Sequence, residues 1–323
     1  MAMESIWLAF TADVPIAFNL TSTVTSVVED FICDPQTDAH VTATSLTNLF
    51  LPYLDTLDRC RHLTYLWLAI FWTVKELQSS DTRWTRLIQL VLEIREVQDP
   101  VSPGVTEYLE IWGDDCFWKG LPWMIPTYLW FEAQAPFNPS KHEKLANRVK
   151  KQGNIEDILP KDLVVSLTAT EWANISAFLA CLHTAAPDIL FLDIRGLLAL
   201  LDALEEDEPP DVLDNMVPAA ANWILFAGNG LKNNPIQYAE NRSQHSSVRL
   251  PWAVGALYSG QNNFCAERWS FWKARLRVLK ARQDLLERTR QFAEKAWNEM
   301  ARLDEIESAN ERVAEEQRPL GTG

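Results

Sequence analysis

The sequence of 323 residues contains few cysteines, and those that it has form no recognisable pattern. Zinc ribbons and small disulfide-bonded domains both need closely spaced or paired cysteines. This chain has five, an odd number without a CxxC pair: Cys33, Cys60, Cys116, Cys181 and Cys265. Its five histidines show no metal-ligand spacing, and no GxSxG motif is present. The sequence therefore indicates neither a zinc site, nor a disulfide framework, nor a serine hydrolase.

Basic residues are also scarce in this chain. It has 29 lysines and arginines against 44 aspartates and glutamates, which makes the formal net charge −15. Phosphate backbones and anionic lipid surfaces attract clusters of Lys and Arg. We therefore expect neither a nucleic acid nor a membrane as a partner, and a small-molecule substrate is the better expectation.

Long apolar runs and targeting signals are missing too. The densest apolar stretch, residues 63–77, is interrupted by Thr73 and Lys75 and is too short to cross a bilayer. The N-terminus lacks a basic segment that is followed by an apolar run and a cleavage site. We expect a soluble, cytoplasmic protein.

Alternating apolar and polar residues, which are typical of strands, are almost absent, whereas apolar residues recur at helical spacing. Hydrophobic residues make up 47% of the chain, which is ample for a packed core. We predict an all-α fold: a single large helical domain over residues 1–323 with an aromatic-rich core and a long charged helix over 264–316. Polar residues predict a junction at 137–162, an exposed break at 205–210 and a frayed tail at 318–323.

Two neighbouring carboxylates, Asp114 and Asp115, are the most informative residues of the chain. A helix is predicted from Ser102, a suitable N-cap residue followed by proline, to about Trp118, with Gly120 beyond its end. The acid pair then lies near the C-terminal end, where the helix dipole already places partial negative charge. The two carboxylates should need a positive partner there, and a divalent cation is one candidate.

The same predicted helix carries an acidic and aromatic face. At roughly 100° per residue, one broad side holds Glu107, Glu110, Asp114, Asp115 and Trp118. A helix face that combines carboxylates with an indole is more typical of the wall of a water-containing cavity than of a surface exposed to bulk solvent.

Three sequence blocks in the second half of the chain resemble a known set of fungal proteins. The blocks are residues 171–180 (EWANISAFLA), 220–224 (AANWI) with 227–228 (AG), and 267–273 (ERWSFWK). They look like the signature of the fungal domain-of-unknown-function family numbered 3632, which is associated with oxopyrrolidine and other secondary-metabolite clusters. The resemblance covers most of the chain. It implies a filamentous fungus and an all-helical fold, and it implies no established reaction.

The segment from Asp114 to Trp118 resembles a degenerate form of the aspartate-rich motif of class I terpene cyclases. This resemblance implies Mg²⁺ as the cofactor, with Asp114 and Asp115 as metal ligands and catalytic residues. Mg²⁺ takes oxygen ligands and keeps several waters, so one or two carboxylates and a substrate diphosphate suffice. The ions neutralise the leaving diphosphate, and the carbocation that forms needs shielding from water and nearby π faces.

Cyclases of this class carry a second metal motif with Asn, Ser or Thr, and Glu at four-residue steps. Asn229 and Asn233 have this spacing and are our candidate ligands for a second metal ion. The third residue in the register is Gln237, however, and an intervening proline disfavours one continuous helix. An alternative pair is Asn263 and Glu267, for which ordinary helix capping is the competing explanation.

The cyclase resemblance also implies arginines that bind diphosphate. Arg195 stands alone in an apolar helix, and Arg268 precedes a tryptophan in the way that an Arg–aromatic pair does near the C-terminus of such enzymes. For Arg195 the alternative is a buried ion pair with Asp193 or Asp202.

Fourteen tryptophans supply candidates for an aromatic cavity wall. We assign that role to Trp118, Trp223 and Trp269. Tryptophan at helical spacing also commonly fills a protein core, and this alternative stays open for each of the three.

The leading hypothesis is an atypical class I terpene cyclase that makes a humulene-like sesquiterpene hydrocarbon from farnesyl diphosphate in fungal secondary metabolism. One alternative is a helical interaction or scaffold protein, which a solid core and an outward-facing Asp114 would favour. The other is a cofactor-free enzyme that acts on a completed fungal metabolite, which a pocket without converging acids or arginines would favour.

Overall fold

The computed structural model describes residues 15–56, 59–77, 82–112, 116–133, 135, 167–233, 254–260 and 265–316. This part of the chain is built from α-helices with one short 3-10 helix and contains no strand, so the all-α prediction is confirmed. None of its helices is both long and apolar enough to cross a membrane. The helices are α1 (Pro15–Cys33), α2 (Ala39–Phe50), α3 (Arg59–Glu76), α4 (Thr82–Glu96), α5 (Pro103–Trp112), α6 (Met124–Ala133), α7 (Ala169–Ala185), α8 (Leu190–Leu204), α9 (Pro210–Asn233), α10 (Ala266–Leu279) and α11 (Glu287–Glu316).

The chain divides into two compact units, Met1–Phe178 and Leu179–Gly323. The boundary falls within α7. The prediction of a single domain stays a prediction. The predicted junction at 137–162 and the predicted tail at 318–323 lie outside the described residues.

The first unit is organised around α3. This helix is buried without interruption from His62 to Lys75, which is the pattern of a helix surrounded by others. It packs on α1 and α6, while α2 packs on α4. The ring of Phe71 lies 6.2 Å from Tyr128, 5.6 Å from Phe131 and 6.4 Å from Phe178, centroid to centroid. The core of this unit is therefore strongly aromatic.

The second unit is organised around α9. This helix packs on α8 and α11, and α10 packs on α11. The approach of α8 to α9 depends on Gly196, because a Cβ at this position would lie 2.8 Å from the indole of Trp223. A side chain of any size would push the two helices apart.

Two helix starts follow directly from local sequence. The Ser102 hydroxyl accepts a hydrogen bond from Val105 N at 3.2 Å, so the predicted N-cap of α5 is confirmed. At α7, Thr168 N donates to the Glu171 carboxylate at 2.7 Å, and Glu171 N donates to the Thr168 hydroxyl at 3.2 Å. This reciprocal pair is a capping box, which satisfies two N–H groups at once.

The helix that begins after Ser102 ends earlier than predicted. It stops at Trp112, and residues 117–120 form a turn. Beyond the helix, the Asp99 carboxylate accepts hydrogen bonds from Phe117 N at 2.7 Å and Trp118 N at 2.8 Å. These two N–H groups are thereby unavailable to a continuing helix.

The predicted helix over 264–316 is two helices, α10 and α11, with a break between Leu279 and Glu287. Asp214 of α9 accepts a hydrogen bond from Leu286 N at 3.0 Å and so caps the start of α11. The long charged C-terminal helix of the prediction is α11, with 30 residues.

The predicted exposed break at 205–210 is wrong at its first residue. Glu205 is 0% exposed. Its carboxylate accepts hydrogen bonds from residues that lie 50 to 67 positions later in the chain.

Candidate functional site

Asp114 and Asp115 lie outside the described residues, but the chain on both sides of them is held in place. Helix α5 ends just before them, at Trp112. After them, the Asp99 carboxylate holds the backbone of Phe117 and Trp118. The Trp118 side chain is 1% exposed, and its ring centroid lies 5.0 Å from that of Phe117. The predicted roles of the two aspartates stay predictions.

The turn that follows the acid pair is strained. Leu121 and Trp123 have φ values of 52° and 65°, in the left-handed region that side chains with a Cβ occupy at a cost. Between them, Pro122 O accepts a buried hydrogen bond from the Trp67 indole at 2.6 Å. Strain of this kind persists only where the surroundings determine the conformation, and it often marks functional segments. The segment 116–124 is therefore a firmly anchored element next to the acid pair.

The predicted common face of Glu107 and Trp118 is wrong. Glu107 points outward with its side chain 58% exposed, and its carboxylate pairs with Arg59 Nη2 at 2.8 Å. Trp118 is buried and belongs to the turn after α5, so the helical wheel does not extend to it. Glu107 is therefore a solvent-facing residue.

The candidate second metal motif lies at the end of α9. Asn229 and Asn233 are one turn apart, and Asn233 is the last residue of the helix. Gln237 and Asn263 lie outside the described residues, and Glu267 is exposed in the first turn of α10. Within the described ranges, no three His, Cys, Asp or Glu side chains cluster as a metal site. The metal role of Asn229 and Asn233 stays a prediction.

Arg268 is fully buried beside a carboxylate of the protein itself. Its Nε and Nη2 donate to the two oxygens of Glu205 at 2.5 and 2.8 Å. Glu205 also accepts from the Trp272 indole at 2.7 Å and from Gly255 N at 3.0 Å. The guanidinium thus donates two charge-assisted hydrogen bonds to Glu205 and acts as a structural cation. This role differs from the predicted binding of diphosphate.

Trp269, the neighbour of Arg268, contacts another carboxylate. Its indole donates to Asp304 of α11 at 3.0 Å, and Lys232 and Lys273 each approach the same carboxylate at 2.6 Å. Burial raises the pKa of Asp304, but these hydrogen bonds outweigh it and hold the pKa below its usual value. The cluster links α9, α10 and α11.

Arg195 and Trp223 also lie in the second unit. The Arg195 guanidinium carbon is 4.5 Å from the ring centroid of Phe191, one turn earlier on α8. Trp223 is 1% exposed and packs on Gly196. The predicted residues of this unit are thus engaged with separate groups: Arg195 with Phe191, Arg268 with Glu205 and Trp269 with Asp304. The diphosphate role of Arg195 stays a prediction.

A histidine–aspartate pair is the feature that sequence reasoning missed. His183 in the last turn of α7 makes a hydrogen bond through Nε2 to Asp193 Oδ1 in the first turn of α8. The His183 side chain is 3% exposed and that of Asp193 is 14% exposed. The available signal was the short turn between the two helices, because a helical hairpin brings the end of one helix beside the start of the next.

Thiol chemistry is not favoured near this pair. Burial raises the pKa of Cys181 to about 12, so this residue stays a thiol at neutral pH. Cys181, which is half-buried, is therefore a poor nucleophile at neutral pH.

Comparison with known proteins gives one finding. The model of a family described as "Protein of unknown function (DUF3632)" matches residues 67–276, which is more than half of the chain. Searches of curated proteins and of solved structures returned no significant match.

Proposed function

This chain belongs to the DUF3632 family, and we propose that it is an atypical class I terpene cyclase of fungal secondary metabolism. The proposed reaction converts farnesyl diphosphate to a humulene-like sesquiterpene hydrocarbon and inorganic diphosphate. The observation that carries the proposal is the acid pair Asp114–Asp115, which the sequence places between the end of α5 and an anchored aromatic turn.

The donor set of the acid pair fits Mg²⁺. Asp114 and Asp115 offer carboxylate oxygens, the ligand type that this ion prefers, and its remaining positions suit water and substrate oxygens. When bound, Mg²⁺ supplies positive charge that offsets the charge developing on the leaving diphosphate. The two aspartates would hold the ion and orient the diphosphate.

The surroundings of the turn suit a cationic reaction. Phe117 and Trp118 are buried beside each other immediately after the acid pair. Aromatic faces stabilise a nearby positive charge by about 0.5–2 kcal/mol each, and their apolar bodies exclude water. The same unit buries Tyr128 against Trp172 with ring centroids 6.0 Å apart. These rings support the proposal as sources of shielding.

The proposal is tested by product analysis. Purified protein is incubated with geranyl, farnesyl and geranylgeranyl diphosphates, each with Mg²⁺ or with EDTA, and the organic extracts are examined by gas chromatography with mass spectrometry. We expect a sesquiterpene hydrocarbon from farnesyl diphosphate in the presence of Mg²⁺ alone. The absence of a product from all three substrates would contradict the proposal.

A further inference from the structure

The His183–Asp193 pair is held by three helices of the second unit. His183 belongs to α7 and Asp193 to α8, and the neighbouring Thr184 hydroxyl donates to Phe226 O of α9 at 2.6 Å. The ring of Trp223 meets the imidazole edge to face, with centroids 6.3 Å apart and planes at 73°. The position of the imidazole is therefore set from several sides.

The pair is incomplete as a hydrogen-bonded unit. His183 Nδ1 and Asp193 Oδ2 are both buried, and neither has a hydrogen-bond partner among the described residues. An unsatisfied buried polar atom is costly, and native proteins leave few of them. His183 Nδ1 and Asp193 Oδ2 are therefore the two atoms of the pair to which a hydrogen-bonding ligand could bind.

The Nδ1 edge of the imidazole faces a glycine. A Cβ on Gly230 of α9 would lie 3.3 Å from His183 Cε1 and 3.7 Å from Nδ1. Gly230 is itself exposed, near the C-terminal end of the helix. The position thus lies between solvent and the buried nitrogen, and the missing side chain leaves room for a small group beside Nδ1.

We propose that His183 and Asp193 form a proton-accepting binding site for a small molecule with an acidic hydroxyl group, a phenol or an enol. The Asp193 carboxylate accepts the Nε2–H, which leaves the lone pair of Nδ1 to accept the hydroxyl proton. The O–H bond breaks with its electrons on oxygen, the proton moves to Nδ1, and Asp193 stabilises the imidazolium. A hydroxyl whose pKa is about 10, as in the tyrosine phenol, suits a histidine base far better than an aliphatic alcohol does.

This site is independent of the cyclase proposal, because it needs neither a diphosphate nor Mg²⁺. The experiment uses the full chain with ¹⁵N-labelled histidine and follows the Nδ1 resonance of His183, which is assigned by its loss in His183→Gln. Phenol is titrated as the probe, and toluene is the control of the same shape without a hydroxyl. We expect phenol to move the Nδ1 resonance with saturation and toluene to leave it unchanged.

Gly230→Ala tests the approach to Nδ1 while keeping both side chains of the pair. Alanine is favoured over glycine within a helix, so the variant should fold after the imidazole shifts by a few tenths of an ångström. We expect at least a tenfold weaker response to phenol, and Asp193→Asn should weaken it to a similar extent. An unmoved resonance with phenol, an equal shift with toluene, or unchanged binding in Gly230→Ala would each overturn the proposal.

Discussion

Arg268 illustrates how the role of one side chain is set by its neighbours. In the sequence it is an arginine next to a tryptophan, a pattern that predicts a diphosphate ligand in a terpene cyclase. In the structure its Nε and Nη2 both donate hydrogen bonds to the Glu205 carboxylate, and both residues are fully buried. Removing one ion leaves the other buried and unpaired, which is far more costly than losing an exposed contact.

We predict that Arg268→Met lowers the free energy of unfolding by about 3–5 kcal/mol, because Glu205 is left as a buried charge. Urea denaturation followed by circular dichroism measures this loss. The double variant Arg268→Met/Glu205→Leu should regain most of it, since both charges are then absent. The exposed Arg277→Met on the same helix is the control and should change stability by less than about 0.5 kcal/mol. Equal stability of Arg268→Met and the control would contradict this prediction.

Sequence reasoning at the residue scale succeeds for local contacts and fails for distant ones. The prediction of Ser102 as an N-cap is correct, because its hydroxyl accepts a hydrogen bond from a residue only three positions away. Glu205 was predicted to be exposed because it begins an acidic run, and its partner Arg268 lies 63 residues later. Likewise, nothing local distinguishes His183 from an ordinary helix residue, since its partner belongs to the next helix.

Among the elements, α5 matters most for the proposed site because it leads directly into the acid pair. Gly104 determines how closely α5 approaches the segment that contains Leu54 and Asp55. A Cβ there would lie 2.0 Å from Leu54 O, and Gly104 N donates to the Asp55 carboxylate at 2.8 Å. A carbonyl oxygen of the backbone cannot rotate away as a side chain can.

We predict that Gly104→Ala destabilises the protein by about 1–3 kcal/mol and displaces α5, as is usual for overpacking. Thermal unfolding measures the stability. The control is Thr106→Ala, an exposed position on the same helix, which should cost less than about 0.5 kcal/mol. If Gly104→Ala were as stable as the control, the close approach of α5 to Leu54 would be refuted.

The Asp304 cluster predicts an acid-sensitive link between α9, α10 and α11. The pKa of Asp304 is lowered in the folded protein by Lys232, Lys273 and the Trp269 indole, against the opposing effect of burial. The stabilisation is therefore complete above the ordinary aspartate pKa of about 4 and is lost as the pH falls through the lowered folded value.

We expect Asp304→Asn to cost about 1 kcal/mol at pH 7, because the carboxylate is partly solvated and its ion pairs are screened. At a pH below the folded pKa the two proteins should converge in stability. Urea denaturation of both proteins between pH 7 and pH 2 makes the comparison, with exposed Glu305→Gln as the charge-matched control. A stability difference that is the same at every pH would contradict the assignment.

Helix existence was predictable from periodicity, whereas several helix ends were not. The stripes of α3 and α4 and the small residues of α9 are all visible in the sequence. The Asp99 carboxylate holds the backbone of residues 117 and 118 beyond the end of α5, and Asp214 accepts a hydrogen bond from Leu286 N, 72 residues later, at the start of α11. Both contacts come from single carboxylates of other segments, which periodicity does not report.

For the whole molecule, the fold class and the family agree with what composition and signature blocks predict. The described chain is helical, and the family match over residues 67–276 includes all three of the blocks that carry the resemblance. The reaction is a different matter. Composition determines whether a core can form, but catalysis depends on where a few groups point, and neither fold class nor family membership supplies that.

The central claim is that Asp114 and Asp115 hold Mg²⁺ for the ionisation of farnesyl diphosphate. The most direct measurement is the turnover of farnesyl diphosphate by Asp115→Asn beside the wild-type protein and Glu107→Gln, an exposed carboxylate on the preceding helix. We predict that Asp115→Asn loses about 10²–10³-fold in kcat, the loss typical of an electrostatic catalytic group, while its circular dichroism is unchanged. Glu107→Gln should retain wild-type turnover. Wild-type turnover by a correctly folded Asp115→Asn protein would contradict the claim.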